Sequence, residues 1–588
     1  GASGLTVANR LTEDPSVTVL VLEAGPVDED EEWMRVPFFV GNDPTPPAGS
    51  LSGHLQYDWN LGTEAQTYLD GKTRHYPLGR GVGGGTLING MLWNRGNIGD
   101  YDDWAALIGD DGWNWQSMLQ YFKRSETFTA DYSAEQASQY QIHSDPAVHG
   151  SAAGGVQVSY QGHFYAGTEH FYNGLNELGV PTEGDPNAGA TAGASFLPMS
   201  IDAENKTRAD ARRTHYDPHA ARDNLYISSG QFVTRLKRSS KKNKRRDTQC
   251  KLRVGGVEFA ANADAQRRVI TAKREVILAA GAVHTPLILQ HSGVGDSDFL
   301  ASYDIETRLD LPGVGNNYQD HYMLASNNHF AANDDAPVAY ATNTDANRNL
   351  FWDEHTGPWT AGPPNGVAFP SLKDMTDNFT AVLDWATSQT TGEHLLAGLD
   401  DTIVSGYERQ KALLLAALND STRGQFEILN NNAGSFTYSL MKPLSRGQIR
   451  IRSADPFDTP VIDPRYGSNP IDLAYMMEAM RFNHRLVQTD ALAALQPEEN
   501  YPTAEQVADD ARLLALIKGG LFTEYHPTGT ASMLPLEDGG VVDANLRVYG
   551  TQNLRVIDSS IMPLIPAAHL QACVYGVAEK AADLIRES

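Results

Sequence analysis

The first residues of the chain have the types and spacing of a phosphate-binding turn. Gly1 and Gly4 precede residues 5–11, in which apolar side chains recur at helical spacing. Glycines at the N-terminus of a helix let a pyrophosphate group reach free backbone N–H groups. The apolar run 17–22 then predicts a buried strand that ends at Glu23, and an acid about 20 residues after such glycines accepts the hydroxyls of an adenosine ribose. The pattern predicts half of a dinucleotide-binding unit, although a helix followed by any parallel strand would look the same.

The complete motif, G-x-G-x-x-G, follows a strand and starts with one more glycine. Neither is present before residue 1, so we expect the sequence to begin inside the motif. A secretion signal would precede that strand and would be missing together with it. The lack of a signal sequence in residues 1–588 therefore says nothing about localisation.

A second glycine-rich segment has five glycines in seven positions, residues 79–85, which we call the glycine loop. So many glycines form neither a stable helix interior nor a strand, but they let the backbone lie flat against a ligand. Apolar residues follow at 87–88 and 91–93, where solvent would suit them poorly. This favours close approach to a ligand over a flexible surface loop.

The end of the chain predicts a strand, an acid and a helix in that order. Residues 553–558 predict a short strand that ends at Asp558, and residues 569–585 predict an amphipathic helix rich in alanine. An acid in this place either caps a helix or lies beside the same ligand as the glycines. The sequence leaves both interpretations open.

Composition excludes several classes of protein. The chain has 588 residues with 41% hydrophobic residues and a formal charge of −27, and its pI is near 5.0. No apolar run reaches eighteen residues, so we predict no membrane span. Net negative charge argues against nucleic acid or an anionic membrane as partner. Residues 235–246 carry eight basic side chains in twelve, but they lie between two predicted strands, which favours a solvated hairpin tip over a nucleic-acid arm.

Five further segments resemble one enzyme family, the glucose–methanol–choline (GMC) flavin oxidoreductases. The matches follow the family's order along the chain: 79–102 for its first signature, 281–295 for its second, 443–447 with 463–466 for its late substrate-domain segment, and 526–530 and 568–570 for its two catalytic segments. Because all five occur together and in order, the chain is identified as a member, most similar to the fungal aryl-alcohol oxidase and glucose oxidase branches.

The resemblance implies a fold of class α/β plus α+β. A discontinuous Rossmann-like FAD-binding domain would be joined to a substrate-binding domain made of a β-sheet backed by helices. We expect the FAD-binding domain at 1–100, 200–310 and 527–588, and the substrate-binding domain at 101–199 and 311–526. The sequence agrees where it is informative, since residues 274–281 predict a strand leading into a glycine turn and residues 400–425 predict a helix.

The resemblance also implies which residues contact FAD. They would hold the pyrophosphate and ribose (Gly1, Gly4, Glu23), line the flavin (Arg80, Thr86, Asn89, Gly90, Met91, Leu92), contact adenine through the backbone (Val233), and close over the ribityl chain and isoalloxazine (Asp558, Ser559, Gln571). Some relatives attach FAD covalently through a histidine where this chain has Ile88, so we predict non-covalent FAD. We assign no metal ligands.

The resemblance places two histidines at the reacting carbon. Oxidation of an alcohol needs a base for the hydroxyl proton while a hydride leaves the carbon for flavin N5. Histidine suits that role, and we assign His526 as the base and His569 as the partner that orients the substrate oxygen. Oxygen and a quinone are both open as the electron acceptor.

The substrate is predicted from the residues just before the base. Glucose oxidases bind their sugar there with an arginine and an asparagine, and this chain has Phe522 and Glu524 instead, so glucose is disfavoured. Phe522, Tyr525 and Trp93 favour a primary alcohol of benzylic or lactol type, unless these aromatic rings are packing residues.

Two other functions stay open. Non-redox relatives, similar to versicolorin B synthase (a cyclase) or to hydroxynitrile lyases, keep the fold and the flavin; a flavin-free binding protein is the third hypothesis. Glycosylation sequons at Asn205, Asn378 and Asn419 give weak support for a secreted glycoprotein.

Overall fold

The computed structural model describes residues 1–40, 56–151, 153–182, 184–190, 192–239, 252–340, 344–362, 364 and 366–588. Its first unit starts with the predicted helix, Ala2–Leu11, and the predicted strand, Val19–Leu22. That strand pairs in parallel with Leu225–Ser228, and Val276–Leu278 pairs in parallel with Leu554–Val556. Parallel strands connected through helices are the arrangement of a doubly wound domain.

Helices and a smaller sheet cover these parallel pairs. The C-terminal helix, Gln571–Arg586, packs against Ala2–Leu11, and Gly281–His291 follows the strand Val276–Leu278. An antiparallel sheet contains Phe232–Arg238, Val254–Ala260 and Arg268–Thr271 in that order. The first two of its strands flank the predicted basic hairpin tip, most of which lies outside the described residues.

The second unit is built on a six-stranded antiparallel sheet. Its strands, in spatial order, are Phe522–Thr523, Tyr322–Ala325, Phe436–Leu440, Phe426–Asn430, Gly366–Phe369 and Gly193–Phe196. The helix Pro470–Leu486 packs on one face, where buried Phe436 and Tyr438 alternate with residues of the other face. Helices Asp510–Gly520 and Asp401–Leu418 belong to the same unit.

The remaining elements are short or peripheral. Further helices are Glu32–Arg35, Ile98–Ile108, Trp115–Ser125, Ala134–Gln139, Gly167–Glu177, Ala211–His215, Ser297–Ala301, Pro337–Tyr340, Thr344–Glu354, Leu372–Met375, Phe379–Ser388, Asp490–Ala493 and Ala504–Ala508. Further strand pairs are Leu61–Gly62 with His75–Tyr76, Glu126–Phe128 with Val156–Val158, Val294–Gly295 with Leu309–Asp310, Asn327–Phe330 with Pro497–Tyr501, and Gln448–Arg450 with Val461–Asp463. Within the described residues, no helix combines the length and the apolar content that crossing a membrane requires.

The predicted fold class is confirmed, and one predicted helix is shorter than expected. The helix predicted over 400–425 ends at Leu418, because Gly424 and the strand Phe426–Asn430 follow within a few residues. The two parallel pairs of the first unit lie inside the three segments predicted for the FAD-binding domain, and the six-stranded sheet lies inside the other two. The domain boundaries themselves stay predictions.

Candidate active site

A cavity of about 1890 Å³ extends from the N-terminus of the helix Ala2–Leu11 to the histidine pair, His526 and His569. The cavity also extends between the two parallel strand pairs of the first unit, so its volume exceeds the volume of the cofactor and substrate site. All thirteen predicted cofactor residues line it: Gly1, Gly4, Glu23, Arg80, Thr86, Asn89, Gly90, Met91, Leu92, Val233, Asp558, Ser559 and Gln571. The fold therefore collects residues from distant segments around one space.

One end of the cavity offers hydrogen-bond donors to an anion. The helix Ala2–Leu11 begins at Gly1 without a side-chain cap, and its first backbone hydrogen bond runs from the N–H of Leu5 to the carbonyl of Gly1. The N–H groups of the first turn are thus left for a ligand, and the helix dipole favours negative charge there. Glu23 lies nearby and accepts a hydrogen bond from the N–H of Gly25 at 2.8 Å.

The glycine loop lies against this helix and against the turn after the first strand. A Cβ atom at Gly25 would lie 2.4 Å from the nitrogen of Gly81, and one at Gly84 would lie 2.8 Å from Cα of Gly1. Gly84 also has φ +59°, which favours glycine. Backbone approaches backbone this closely only without side chains, and the result is a cradle of the shape that a dinucleotide needs. Arg80 extends from the loop with a buried Nε that has no hydrogen-bond partner among the described residues.

The far end of the cavity is held in shape by amide side chains. Asn89 donates to Oε1 of Gln571 at 3.0 Å, and Gln571 donates to the carbonyl of Leu92 at 2.7 Å. Met91 has φ +64°, an uncommon conformation for a residue with a side chain. Ile88 packs into a small apolar cluster and offers no nucleophile to a flavin. The donors and the cradle together fit FAD.

Asp558 lines the cavity and bonds two neighbouring elements, and its contact with FAD stays a prediction. Its carboxylate accepts from the N–H of Gly281 at 2.9 Å, from Oγ1 of Thr285 at 2.6 Å and from the N–H of Ser560 at 2.9 Å. It therefore fixes the start of the helix Gly281–His291 while lining the cavity.

The two predicted catalytic histidines face each other with ring centroids 5.3 Å apart and planes at 76°. Nε2 of His569 lies 2.8 Å from Oε1 of Glu427, and its backbone N–H donates to Asn94 at 2.8 Å. Nδ1 of His526 lies 3.0 Å from Nδ1 of His321. When His526 donates in this contact, its Nε2 carries a lone pair, and no hydrogen bond engages that atom within the described residues. Both imidazoles are buried, which lowers the pKa of each and favours the neutral form.

Asp320 fixes the backbone of the base. Its carboxylate accepts from the backbone N–H of His526 at 3.0 Å, the hydroxyl of Tyr466 at 2.6 Å, Oγ1 of Thr523 at 2.7 Å and the hydroxyl of Tyr318 at 3.1 Å. Burial raises the pKa of Asp320 to about 6. The sequence analysis missed this residue, because its donors come from three separate segments of the chain and no local motif marks them.

Antiparallel register explains why several further polar side chains surround the histidines. Met323 is paired with Phe522 on one side and with Ser439 on the other, and Ser439 is paired with Glu427. The pairing continues past the strand ends, since the N–H of Glu524 donates to the carbonyl of His321 at 2.9 Å. Directly opposed residues share a face of a sheet, and so do residues two apart. The register therefore places His321, Glu427 and Glu524 on one face.

Glu427 and Glu524 form a buried carboxyl pair. Donor atoms of Glu427, Glu524 and His569 all lie within 4.8 Å of one another. Burial raises the pKa of Glu427 to about 7, and burial together with Glu427 raises the pKa of Glu524 well above its usual range. Two buried carboxylates this close repel each other, which disfavours the ionised form of both.

One of the three predicted substrate contacts needs correction. Trp93 is fully buried, packs against Tyr575 and donates through Nε1 to Glu126 at 2.6 Å, so it is a packing residue. Phe522 shares the sheet face of Glu524 but is absent from the cavity lining that the described residues form, and its contact with the substrate stays a prediction. Tyr525 does line the cavity, with φ +66°. The sequence could place aromatic rings near the base but not the direction in which they face.

Comparisons with known proteins agree with this geometry. Two family models, both described as GMC oxidoreductase, match residues 10–323 and 443–578. Dehydrogenase xptC of Emericella nidulans is 34% identical over 600 residues, which cover 100% of this chain and 92% of the relative. The structure of an FAD-dependent oxidoreductase from Chaetomium thermophilum has 34% identity and a TM-score of 0.92, covering 100% of this chain and 98% of its own.

A second solved structure, described as a new fungal aryl-alcohol oxidase, has 30% identity and a TM-score of 0.89, and it covers 100% of this chain and 97% of its own. The similarity thus extends over the cofactor cradle, the histidine pair and the sheet beneath them. The chain belongs to the GMC oxidoreductase family, a family of FAD-dependent enzymes that oxidise alcohols.

Proposed function

We propose that the protein oxidises a primary alcohol of benzylic or lactol type to the carbonyl compound, with His526 as the base and with oxygen or a quinone as the electron acceptor. One observation carries the proposal: the free Nε2 of His526 and the ring of His569 lie together at the end of a cavity that fits FAD. The aryl-alcohol oxidase among the solved structures supports the substrate class.

The residues of the chain divide the chemistry between them. FAD, when bound, accepts the hydride that leaves the carbinol carbon. His526 accepts the hydroxyl proton at Nε2, because its other ring nitrogen, Nδ1, is engaged with Nδ1 of His321 at 3.0 Å. His569 is fixed by Glu427 and Asn94 and orients the substrate oxygen. We propose that FAD is bound non-covalently, since Ile88 offers no atom for a bond.

The wall beside the histidines supports a flat, largely apolar alcohol. Met91, Leu92, Met323, Leu429 and Tyr525 line this part of the cavity. Aliphatic and aromatic side chains bind a ring by area, and few of them donate hydrogen bonds to the hydroxyls of a sugar.

An anaerobic titration tests the reaction. We expect the oxidised-flavin band near ~450 nm to bleach when a benzylic or lactol alcohol is added to the FAD-loaded enzyme, and not when glucose is added. A flavin band that no alcohol bleaches would favour the non-redox cyclase or lyase hypothesis. Reoxidation by air, compared with reoxidation by a quinone, identifies the acceptor.

Substitution of the base tests the mechanism. We expect His526→Ala to slow flavin reduction about 10²- to 10⁴-fold, the usual contribution of a general base. His329→Gln is the matched control, because this histidine is exposed on a strand and should leave the rate unchanged. Turnover of His526→Ala within threefold of the wild type would show that another group is the base.

We also propose that the protein is a secreted glycoprotein. The support is that two of its three sequons present exposed asparagines, Asn378 and Asn419.

A further inference from the structure

Behind the base lies a group of three side chains with the donor atoms of a metal site. Nδ1 of His321 is 3.0 Å from Nδ1 of His526, and each of these nitrogens is 3.8 Å from Oε2 of Glu524. We call this group the His–His–Glu cluster. We propose that it binds a divalent transition-metal ion such as Zn²⁺, and that the bound ion prevents His526 from acting as a base.

The distances fit the bond lengths of such an ion. A point equidistant from the three donor atoms lies about 2.1 Å from each, which is the length of a Zn–N or Zn–O bond. Two imidazoles and one carboxylate favour zinc, copper or nickel over magnesium or calcium, which prefer oxygen ligands throughout.

The cluster also contains buried atoms that lack partners. Glu524 is 4% exposed, and neither of its carboxylate oxygens has a hydrogen-bond partner among the described residues. A buried carboxylate without a partner is costly, and a cation compensates it directly. Glu524 and His526 both line the cavity, so an ion has a route to the cluster.

Metal binding changes which nitrogen of the base carries its proton. In the tautomer that the proposed function assigns to His526, its Nδ1–H donates to Nδ1 of His321, 3.0 Å away, and its Nε2 keeps a lone pair. An ion on Nδ1 requires the lone pair of that atom, so the proton moves through cavity water to Nε2 of the same ring. His526 then has no lone pair for the hydroxyl proton, and no proton is gained or lost by the ring. This consequence rests on the proposed function, whereas the binding of the ion does not.

Zinc binding to the FAD-loaded enzyme tests the site. We expect about one Zn²⁺ per chain by calorimetry and by metal analysis after gel filtration. His321→Gln and Glu524→Gln should each weaken binding at least tenfold, since each removes one of three ligands. His329→Gln should bind as the wild type does, because it removes an exposed histidine outside the cluster. Flavin absorbance and circular dichroism show whether each variant is folded. If His321→Gln does not fold, the zinc affinity of Glu524→Gln decides whether the cluster binds the ion.

Two results would overturn the site: no Zn²⁺ retained by the wild type, or unchanged affinity in the folded ligand variants. A second measurement separates this proposal from the proposed function. Zn²⁺ should leave the flavin spectrum unchanged, slow anaerobic bleaching by the alcohol at least tenfold, and lose this effect when EDTA is added. Zinc binding without any bleaching by alcohols would keep the metal site and contradict the oxidase, whereas bleaching that Zn²⁺ does not slow would refute the inhibition.

Discussion

Gly25 lies in the turn after the first strand and contacts the glycine loop, and a methyl group at this position has no space. A Cβ atom would lie 2.4 Å from the nitrogen of Gly81 and 2.5 Å from the carbonyl carbon of Arg80. Both neighbours are backbone atoms, so rotation of a side chain cannot relieve the overlap. Gly25→Ala must therefore push the glycine loop about 1 Å away to reach ordinary carbon contacts of ~3.5 Å.

The displacement should appear mainly in FAD affinity. Overpacking of this kind costs about 1–3 kcal/mol. Because the loop is predicted to contact FAD, we expect most of that cost to fall on the complex. We therefore expect Gly25→Ala to weaken FAD binding about 5- to 150-fold.

Flavin fluorescence, titrated into protein from which FAD has been removed, measures the affinity. Gly62→Ala is the matched control, since its Cβ would lie 3.6 Å from the nearest atom, an ordinary contact. We expect the control to bind FAD within twofold of the wild type. Thermal unfolding of both FAD-free variants shows whether the fold itself has changed. If Gly25→Ala binds FAD within twofold of the wild type, the close approach of the glycine loop does not shape the cofactor site.

Two further predictions concern stability and glycosylation. Glu126→Gln leaves the fully buried Arg95 without its carboxylate partner at 2.7 Å, and urea unfolding should show a loss of about 3–5 kcal/mol in the free energy of unfolding. Burial alone would raise the pKa of Glu126, but Arg95, His149 and the N–H of Gly150 together outweigh it and hold the pKa at about 2. Wild-type stability should therefore fall as the pH drops from 4.5 towards 2, and the variant should lose that dependence. When the protein is secreted from yeast, an endoglycosidase should remove glycans from Asn378 and Asn419 only. Asn205 should carry no glycan, because the threonine of its sequon, Thr207, is 3% exposed and donates a hydrogen bond to the Asn205 side chain. A third glycan would contradict this prediction.

Contiguous patterns of the sequence were sufficient to predict the cofactor segments. The glycines at the first helix and in the glycine loop are required by backbone contact, and such a requirement is visible in residue type alone. The same holds for His526 and His569, which occur in short segments typical of the family. Side-chain direction was harder to predict, and Trp93 is the example: its partner Glu126 lies 33 residues away and turns the ring into the core.

The sequence by itself determined the family, the fold class and the segments that form the cofactor cavity, because each is encoded in neighbouring residues. Only the tertiary structure decided what surrounds the base. His321, Glu427 and Glu524 belong to three strands or strand ends that are far apart in the chain, and antiparallel register places them on one face. Alternation along a strand predicts which residues share a face, but not which strands pair or in what register. The carboxyl pair and the His–His–Glu cluster exist only once that pairing is made.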